Sequence, residues 1–425
     1  MNKKTIVFIV VLIALGTLII GRHSQGILHG SLDEQMVNFL QRYVQINTTH
    51  PVPDYSKALA FLEKQAEQDG FCYQEVLLPS GKIVLVISFR GTDPQLPSLA
   101  LNHHMDVVPA TDDKWIKLPF AGEICDGQII GRGTQDMKGI GVTHYFALKE
   151  LKEQGVVPRR TIHIFAVPDE EIGGFAGTKQ FVETEQFKQL KVGFIVDEGH
   201  SSGDSSSLDL KIAERKPIQV QITGKGALSH GSHLQCHNIV HDLLEFLNEI
   251  VIIHHEQQQQ VGKKQVGALL SCNVTSLTAG IRKENGHVAM NMVPDEAQAT
   301  IDIRVPPTCK KRDVLVLFED ILKKYSHLTY QIMAQADEEP ELSDNHSELY
   351  QALEQVINKF GLRAKPHFFE ASSDLRFYQV KGIDGIGLSP FTIEDNVHGI
   401  NESVPVEQLI RGKNLILQFL KDFCY

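Results

Sequence analysis

Residues 139–174 read GIGVTHYFALKELKEQGVVPRRTIHIFAVPDEEIGG, and the fold turns on how this stretch changes period. Gly139 to Gln154 reads as a helix, whereas Thr161 to Val167 is a short apolar run that reads as a strand. Working outward, Ile83 to Phe89, Leu99 to Asn102 and Val192 to Val196 also read as strands between turn-forming residues. Strands alternating with helices imply an α/β domain built on a mixed, largely parallel sheet. Upstream, Ser31 and Glu34 form a capping box ahead of Met36, Phe39, Leu40 and Val44, and Tyr55 to Gly70 fits a second helix.

The texture changes near residue 213. Pro217 to Thr223 alternates like a half-buried strand, and Leu269 to Thr275 and Ala297 to Val305 read as further strands. His237 to His254 and Asp313 to Tyr325 read as helices, and Gln257 to Gln260 as a solvated loop. Strict alternation is missing here, which suggests a small inserted α+β domain. The last helix, Val406 to Phe423, starts after Pro405. A chain of 425 residues is too long for one core. The expected division is a first catalytic part at 31–212, an inserted domain at 213–332 and a second catalytic part at 333–425.

A formal net charge of −11 gives no support to a nucleic-acid role. The six cysteines, at 72, 125, 236, 272, 309 and 424, form neither a CxxC pair nor a dense framework, so isolated thiols are expected. Lys3 and Lys4 precede an apolar run from Thr5 to Ile20, which has the form of a signal peptide or signal anchor over residues 1–22. That reading predicts a membrane-anchored, secreted or periplasmic protein, in contact with a membrane if the leader stays uncleaved.

Residue types that ligate metals gather where the predicted strands end. They comprise Asn102-His103-His104-Met105-Asp106, Gly131-Arg132-Gly133-Thr134-Gln135-Asp136, Pro168-Asp169-Glu170-Glu171-Ile172-Gly173-Gly174, Val196-Asp197-Glu198-Gly199 and His398-Gly399-Ile400-Asn401-Glu402. In α/β sheets, sites form at the carboxyl ends of strands. Each element alone has a plain reading: Asp136 could cap a helix, and the acids could lie in solvated turns. Three successive carboxylates held close together repel one another unless cations offset the charge. Taken together, two histidines and several carboxylates suit a pair of zinc ions, one carboxylate bridging them.

In this order the motifs resemble the M20 family of metallopeptidases, and within it the aminoacylase-1 subgroup, over roughly residues 33 to 423. The resemblance implies a zinc-peptidase-like catalytic domain with an inserted lid and dimerisation domain, two Zn2+ per subunit with Co2+ or Mn2+ as substitutes, and a homodimer. It implies that His104, Asp136 and Glu198 hold one ion, and that Asp136, Glu171 and His398 hold the other. Asp197 adjoins Glu198 and rivals it for the first site. Glu170 becomes the general base and Asp106 steers His104. His230, in Gly226-Ala227-Leu228-Ser229-His230, reaches the other subunit's site to stabilise an oxyanion. Asn291 and Arg304 contact substrate, as do Ser373 and Arg376 in a loop that includes Asp374.

The implied activity is hydrolysis of small N-acyl-L-amino acids. The alternatives are an M20 dipeptidase, a carboxypeptidase, an acetylornithine-type deacetylase, or a membrane-anchored binding protein with a vestigial site. Gly199-His200-Ser201-Ser202-Gly203 fits the G-x-S-x-G pattern, but Leu208 to Lys211 does not read as the helix that a nucleophile elbow needs.

Overall fold

The computed structural model describes residues 30–110, 114–234, 237–282, 286–335, 339–340, 342–392 and 396–425. Helix Leu32–Val44 starts as expected: Ser31 Oγ accepts the Glu34 N–H at 3.2 Å, and the Glu34 carboxylate accepts the Ser31 N–H at 2.7 Å. It buries Met36, Phe39, Leu40, Tyr43 and Val44.

The principal sheet has eight strands. Their spatial order is Cys72–Leu77, Ile83–Phe89, Ile162–Val167, Ser98–His104, Val192–Asp197, Asp384–Leu388, Ser207–Glu214 and Arg363–Phe369. From Ile162–Val167 to Asp384–Leu388 the neighbours run parallel, so four carboxyl ends share one edge. The outer pairs on the Cys72 side are antiparallel, giving the expected α/β architecture with a mixed, largely parallel sheet.

Both faces of this sheet are covered. Leu99, Leu101, Ile162 and Ile164 join one core beneath the packed helices Lys138–Glu153 and Val406–Phe423. Ala100, Phe165 and Val167 alternate into a second core with Phe181, Phe187 and Tyr378. Burial on both faces explains why these strands are continuous apolar runs rather than alternating ones.

The chain changes sheets at Arg215. Strand Ser207–Glu214 belongs to the large sheet, and Lys216–Lys225 to a separate four-stranded sheet. That sheet runs Ser271–Ala279, Glu296–Val305, Lys216–Lys225, Leu328–Gln335, antiparallel throughout. Helices Ile239–Gln258 and Lys311–Leu322 pack with it around Ile218, Val220, Ile222, Phe246 and Phe318. Leu208 to Lys211 is strand rather than helix, so no nucleophile elbow follows Ser201. The five described cysteines are free thiols, and Cys236 lies outside the described residues.

The expectation of a membrane-anchored or exported protein is corrected. Among the described residues no helix is long and apolar enough to cross a membrane. The apolar leader at 1–22, from which that expectation was read, lies outside the described residues.

Phe165 is fully buried, with its ring centroid 5.1 Å from that of Phe181 and 6.4 Å from that of Tyr378. Phe165→Ala is expected to cost about 3–5 kcal/mol in urea unfolding. A loss under about 1 kcal/mol would show that this face is not packed as described.

Candidate metal centre

The shared carboxyl edge delivers most of the site. His104 is the last residue of strand Ser98–His104, and Glu170 and Glu171 follow Ile162–Val167 in a short 3-10 turn. Glu198 follows Val192–Asp197, and His398 lies in the loop after Asp384–Leu388. Asp136 arrives differently, from the turn before helix Lys138–Glu153. That helix has no side-chain cap, so Asp136 is not held there as an N-cap.

The Asp136 carboxylate is the meeting point. His104 Nε2 lies 2.9 Å from its Oδ1, and His398 Nε2 lies 2.9 Å from its Oδ2. Glu171 Oε2 is 3.3 Å from His398 Nε2, and Glu198 Oε2 is 3.9 Å from His104 Nε2. Two triads of donor atoms fall within 4.8 Å of one another: His104, Asp136 and Glu171; and His104, Glu170 and Glu198. His104, Asp136, Glu171 and Glu198 therefore converge together with Glu170, and His398 joins them through its contacts with Asp136 and Glu171. Asp197 points away, its Oδ1 accepting from buried Asn102 Nδ2 at 2.7 Å.

Neighbouring backbone is fitted to this arrangement. His104 Nδ1 is 2.9 Å from the main-chain oxygen of Asp106 and 3.7 Å from its carboxylate. The Asp106 carboxylate instead accepts the N–H groups of Glu170 and Glu171, at 3.2 and 3.0 Å. Gly173 and Gly174 turn the chain sharply with φ of +99° and +67°. At Gly387 a Cβ would meet the Glu198 carbonyl oxygen at 2.2 Å, so only glycine lets the neighbouring strand lie this close.

Glu402 had no role in the sequence reading and proves central to the loop carrying Asp136. Its buried carboxylate binds Arg132 Nη1 at 2.6 Å and accepts the N–H groups of Gly133, Gln135 and Asp136. Strand Ser403–Pro405, paired with Gln128–Ile130, brings it there. The signal was its place in the His398–Glu402 motif.

The electrostatics suit cations. Burial opposes charge on Asp136, but hydrogen bonds from His104 and His398 hold its carboxyl far below the usual range. Burial, then the Asp136 charge, push Glu198 up to about 8, and raise Glu171. Burial and the Glu198 charge raise Glu170 well above an ordinary carboxyl. Hydrogen bonds to Asp136 and Glu171 carry His398 to about 10. Glu198 Oε2 is buried without a hydrogen-bond partner. Acids whose proton affinity is raised by burial and by one another's charge, with an orphaned oxygen aimed at an imidazole, fit a pair of divalent cations.

A cleft of about 760 Å3 opens over the cluster, lined by Phe175, Phe369, Arg304, Glu370 and Arg376 among others. Arg304 and Arg376 face the cleft; Ser373 does not. Buried Ser373 Oγ donates to Glu214 at 2.9 Å and accepts from Lys211 Nζ at 2.5 Å, while Asp374 accepts from Thr178. His230 and Asn291 are neighbours, His230 Nε2 lying 3.4 Å from Asn291 Nδ2, and neither lines the cleft of its own chain.

Residues 100–422 match the model of Peptidase family M20/M25/M40. Aminoacylase-1 of Sus scrofa is 32% identical over 398 residues, 90% of this chain and 94% of that one. Aminoacylase-1 of Dictyostelium discoideum is 32% identical over 400 residues, 91% and 96% of the two chains. In fold, a dinuclear metal-binding peptidase of the M20 family from Bacillus subtilis superposes with a TM-score of 0.63 at 14% identity, covering 92% of this chain and 99% of that one. The convergence of His104, Asp136, Glu171, Glu198 and His398 at one sheet edge thus accompanies a match over more than half of the sequence, and the chain belongs to peptidase family M20.

Proposed function

We propose that this chain is a two-zinc amidohydrolase that cuts N-acyl-L-amino acids into a carboxylate and a free amino acid. The carrying observation is Asp136, with an imidazole nitrogen 2.9 Å from each of its carboxylate oxygens. The similarity to aminoacylase-1 from two distant organisms, over nine-tenths of the chain, supports the substrate class.

In this reading His104, Asp136 and Glu198 would hold one ion, and Asp136, Glu171 and His398 would hold the other. Imidazole and carboxylate donors suit zinc. When bound, the pair supplies Lewis-acid charge that acidifies water and polarises an amide carbonyl.

The residues of the chain do the rest. Glu170, whose carboxyl is raised well above its ordinary range by burial and then by the Glu198 charge, serves as general base in its ionised form, which cations beside it would favour, accepting and then returning a proton. It takes one from the attacking water and gives it to the amide nitrogen as the C–N bond breaks. Asp106 keeps Glu170 in place through its backbone amide. Arg304 and Arg376 in the cleft receive the substrate carboxylate. Ser373 serves that contact from behind, its main-chain oxygen accepting from Arg376 Nη1.

His230 and Asn291 complete the site of a second subunit in a homodimer. That neither residue is among those lining the cleft of its own chain supports that assignment. So does strand Ser271–Ala279, which lies at the edge of its sheet and is exposed along most of its length. Such an edge is a template for pairing with another chain. The same reading divides the chain into catalytic parts at 31–212 and 333–425 around a lid and dimerisation domain at 213–332.

A screen of N-acetyl amino acids against dipeptides should show hydrolysis of the former at least about tenfold faster in kcat/KM, a margin of about 1.4 kcal/mol. A preference for dipeptides would replace aminoacylase by peptidase. Glu170→Ala is expected to lower kcat by about 10²–10⁴-fold while two ions stay bound; loss of both ions would contradict the role given to Glu170. His230→Ala should be inactive and partly rescued when mixed with inactive Glu170→Ala protein. Rescue that never appears in mixed dimers would remove His230 from the partner's site.

The pH dependence has a defined sign. Glu198 rises from 4.5 to about 8 and His398 from 6.5 to about 10 on folding. Both bind protons more tightly when folded, so their contribution is complete below the unfolded values and disappears as pH rises through the folded ones. Chelator-treated protein should therefore lose melting temperature as pH rises from about 4.5, where the Glu198 contribution begins to fall, to about 10, where that of His398 is spent. Metal-loaded protein should not, because ligation needs the deprotonated groups. Parallel profiles with and without metal would contradict the ligand assignment.

A further inference from the structure

Behind the metal cluster stand two carboxylates that touch no part of the cleft, Asp106 and Asp169, both with fully buried side chains. Asp106 accepts the backbone N–H groups of Glu170 and Glu171. Asp169 is the third acid of the run. Its left-handed φ of +68° accompanies a side chain directed away from its two neighbours, toward Tyr55 and Lys82. Tyr55 OH donates to Asp169 Oδ1 at 2.8 Å and lies 2.9 Å from the Asp169 backbone nitrogen, while Lys82 Nζ binds Oδ2.

One side chain stands between the two acids. His50 Nε2 lies 3.0 Å from Asp106 Oδ2 and 3.8 Å from Asp169 Oδ1, and the ring is mostly buried, at 13% exposure. The segment that carries it is fixed to the same strand end. Thr48 Oγ1 donates to the Met105 carbonyl at 2.6 Å, and the Val107 N–H donates to the Thr48 carbonyl at 3.2 Å. A carboxylate that already accepts two amides takes a further donor from the imidazole.

We propose that His50 is a positioning residue for the metal centre. By donating to Asp106, beside Asp169, it keeps the backbone of Glu170 and Glu171 in the one orientation that turns both side chains toward the ions. Without that donor the two buried acids repel each other, and the turn at 169–174 loses its anchor. Outer partners of this kind change metal affinity or activity by roughly 10–100-fold.

The kinetic half of the test rests on the amidohydrolase reading; the spectroscopic half does not. Full-length His50→Ala and His50→Gln proteins are loaded with Co2+, and affinity is measured by chelator competition together with the visible absorption spectrum. His50→Ala should bind Co2+ roughly 10–100-fold more weakly, with an altered spectrum as Glu171 shifts. Glutamine carries an amide N–H at nearly the distance of Nε2 and should restore both. On an N-acetyl amino acid, His50→Ala should lose about tenfold or more in kcat with KM changed less than about threefold, and His50→Gln should recover most of the loss.

Wild-type affinity and spectrum in His50→Ala would overturn the proposal. So would a Gln variant as impaired as the Ala variant. If the wild-type protein hydrolyses no N-acyl amino acid while the Co2+ differences and their rescue persist, the positioning role stands and the activity assignment falls. If His50→Ala does not fold, His50→Asn, whose shorter amide stops before the Nε2 position, takes its place with the same expectations.

Discussion

The constraint that orders this structure is the crowding of negative charge at one sheet edge. Asp136, Glu170, Glu171 and Glu198 converge on two imidazoles within a few ångströms. Buried carboxylates at that spacing are unfavourable unless each finds a compensating donor or cation. Much of the surrounding chain meets that demand. Arg132 and three backbone amides fix Glu402, which in turn fixes the loop carrying Asp136. Lys211 lies near enough to Glu198 to favour its ionised form, and His50 with Lys82 serves the acids behind the centre.

The sheet topology makes this convergence geometrically cheap. Parallel neighbours from Ile162–Val167 to Asp384–Leu388 end together, so segments more than two hundred residues apart in sequence deliver side chains to the same place. The second sheet, reached at Arg215, adds Pro217, Gln219 and Arg304 to the wall of the cleft without contributing a group to the metal cluster. The cluster of candidate metal ligands stands at the edge of the large sheet, and the small sheet adds to the wall of the cleft.

The parts legible in the sequence were those with strong local patterns. The doubly buried strands Ile83–Phe89 and Ile162–Val167 are apolar runs, and helix Val406–Phe423 has both a proline start and helical spacing. Strands such as Cys72–Leu77, Arg363–Phe369 and Asp384–Leu388 escaped notice for physical reasons. The first two are sheet edges with polar, exposed positions, and Pro366 is tolerated only because its strand is an edge. The third is five residues long and carries two glycines. In the site, the ligand motifs were visible because their residue types are distinctive. The jobs of Glu402, His50 and Ser373 were not, because they depend on hydrogen bonds between segments that no spacing rule connects. Asp106 shows the same limit: its carboxylate holds the amides of Glu170 and Glu171, while its main-chain oxygen faces His104.

The order in which the chain supplies the centre has a consequence for how the protein matures. His104, Asp136, Glu171 and Glu198 all precede residue 200, whereas His398 and Glu402 come near the C-terminal end. A growing polypeptide therefore exposes most of the acidic half of the centre long before the second imidazole and the clamp on the Asp136 loop exist. Under the two-ion proposal the ring of donors therefore closes only once His398 and Glu402 have been made and docked, well after the strands that carry the other proposed ligands.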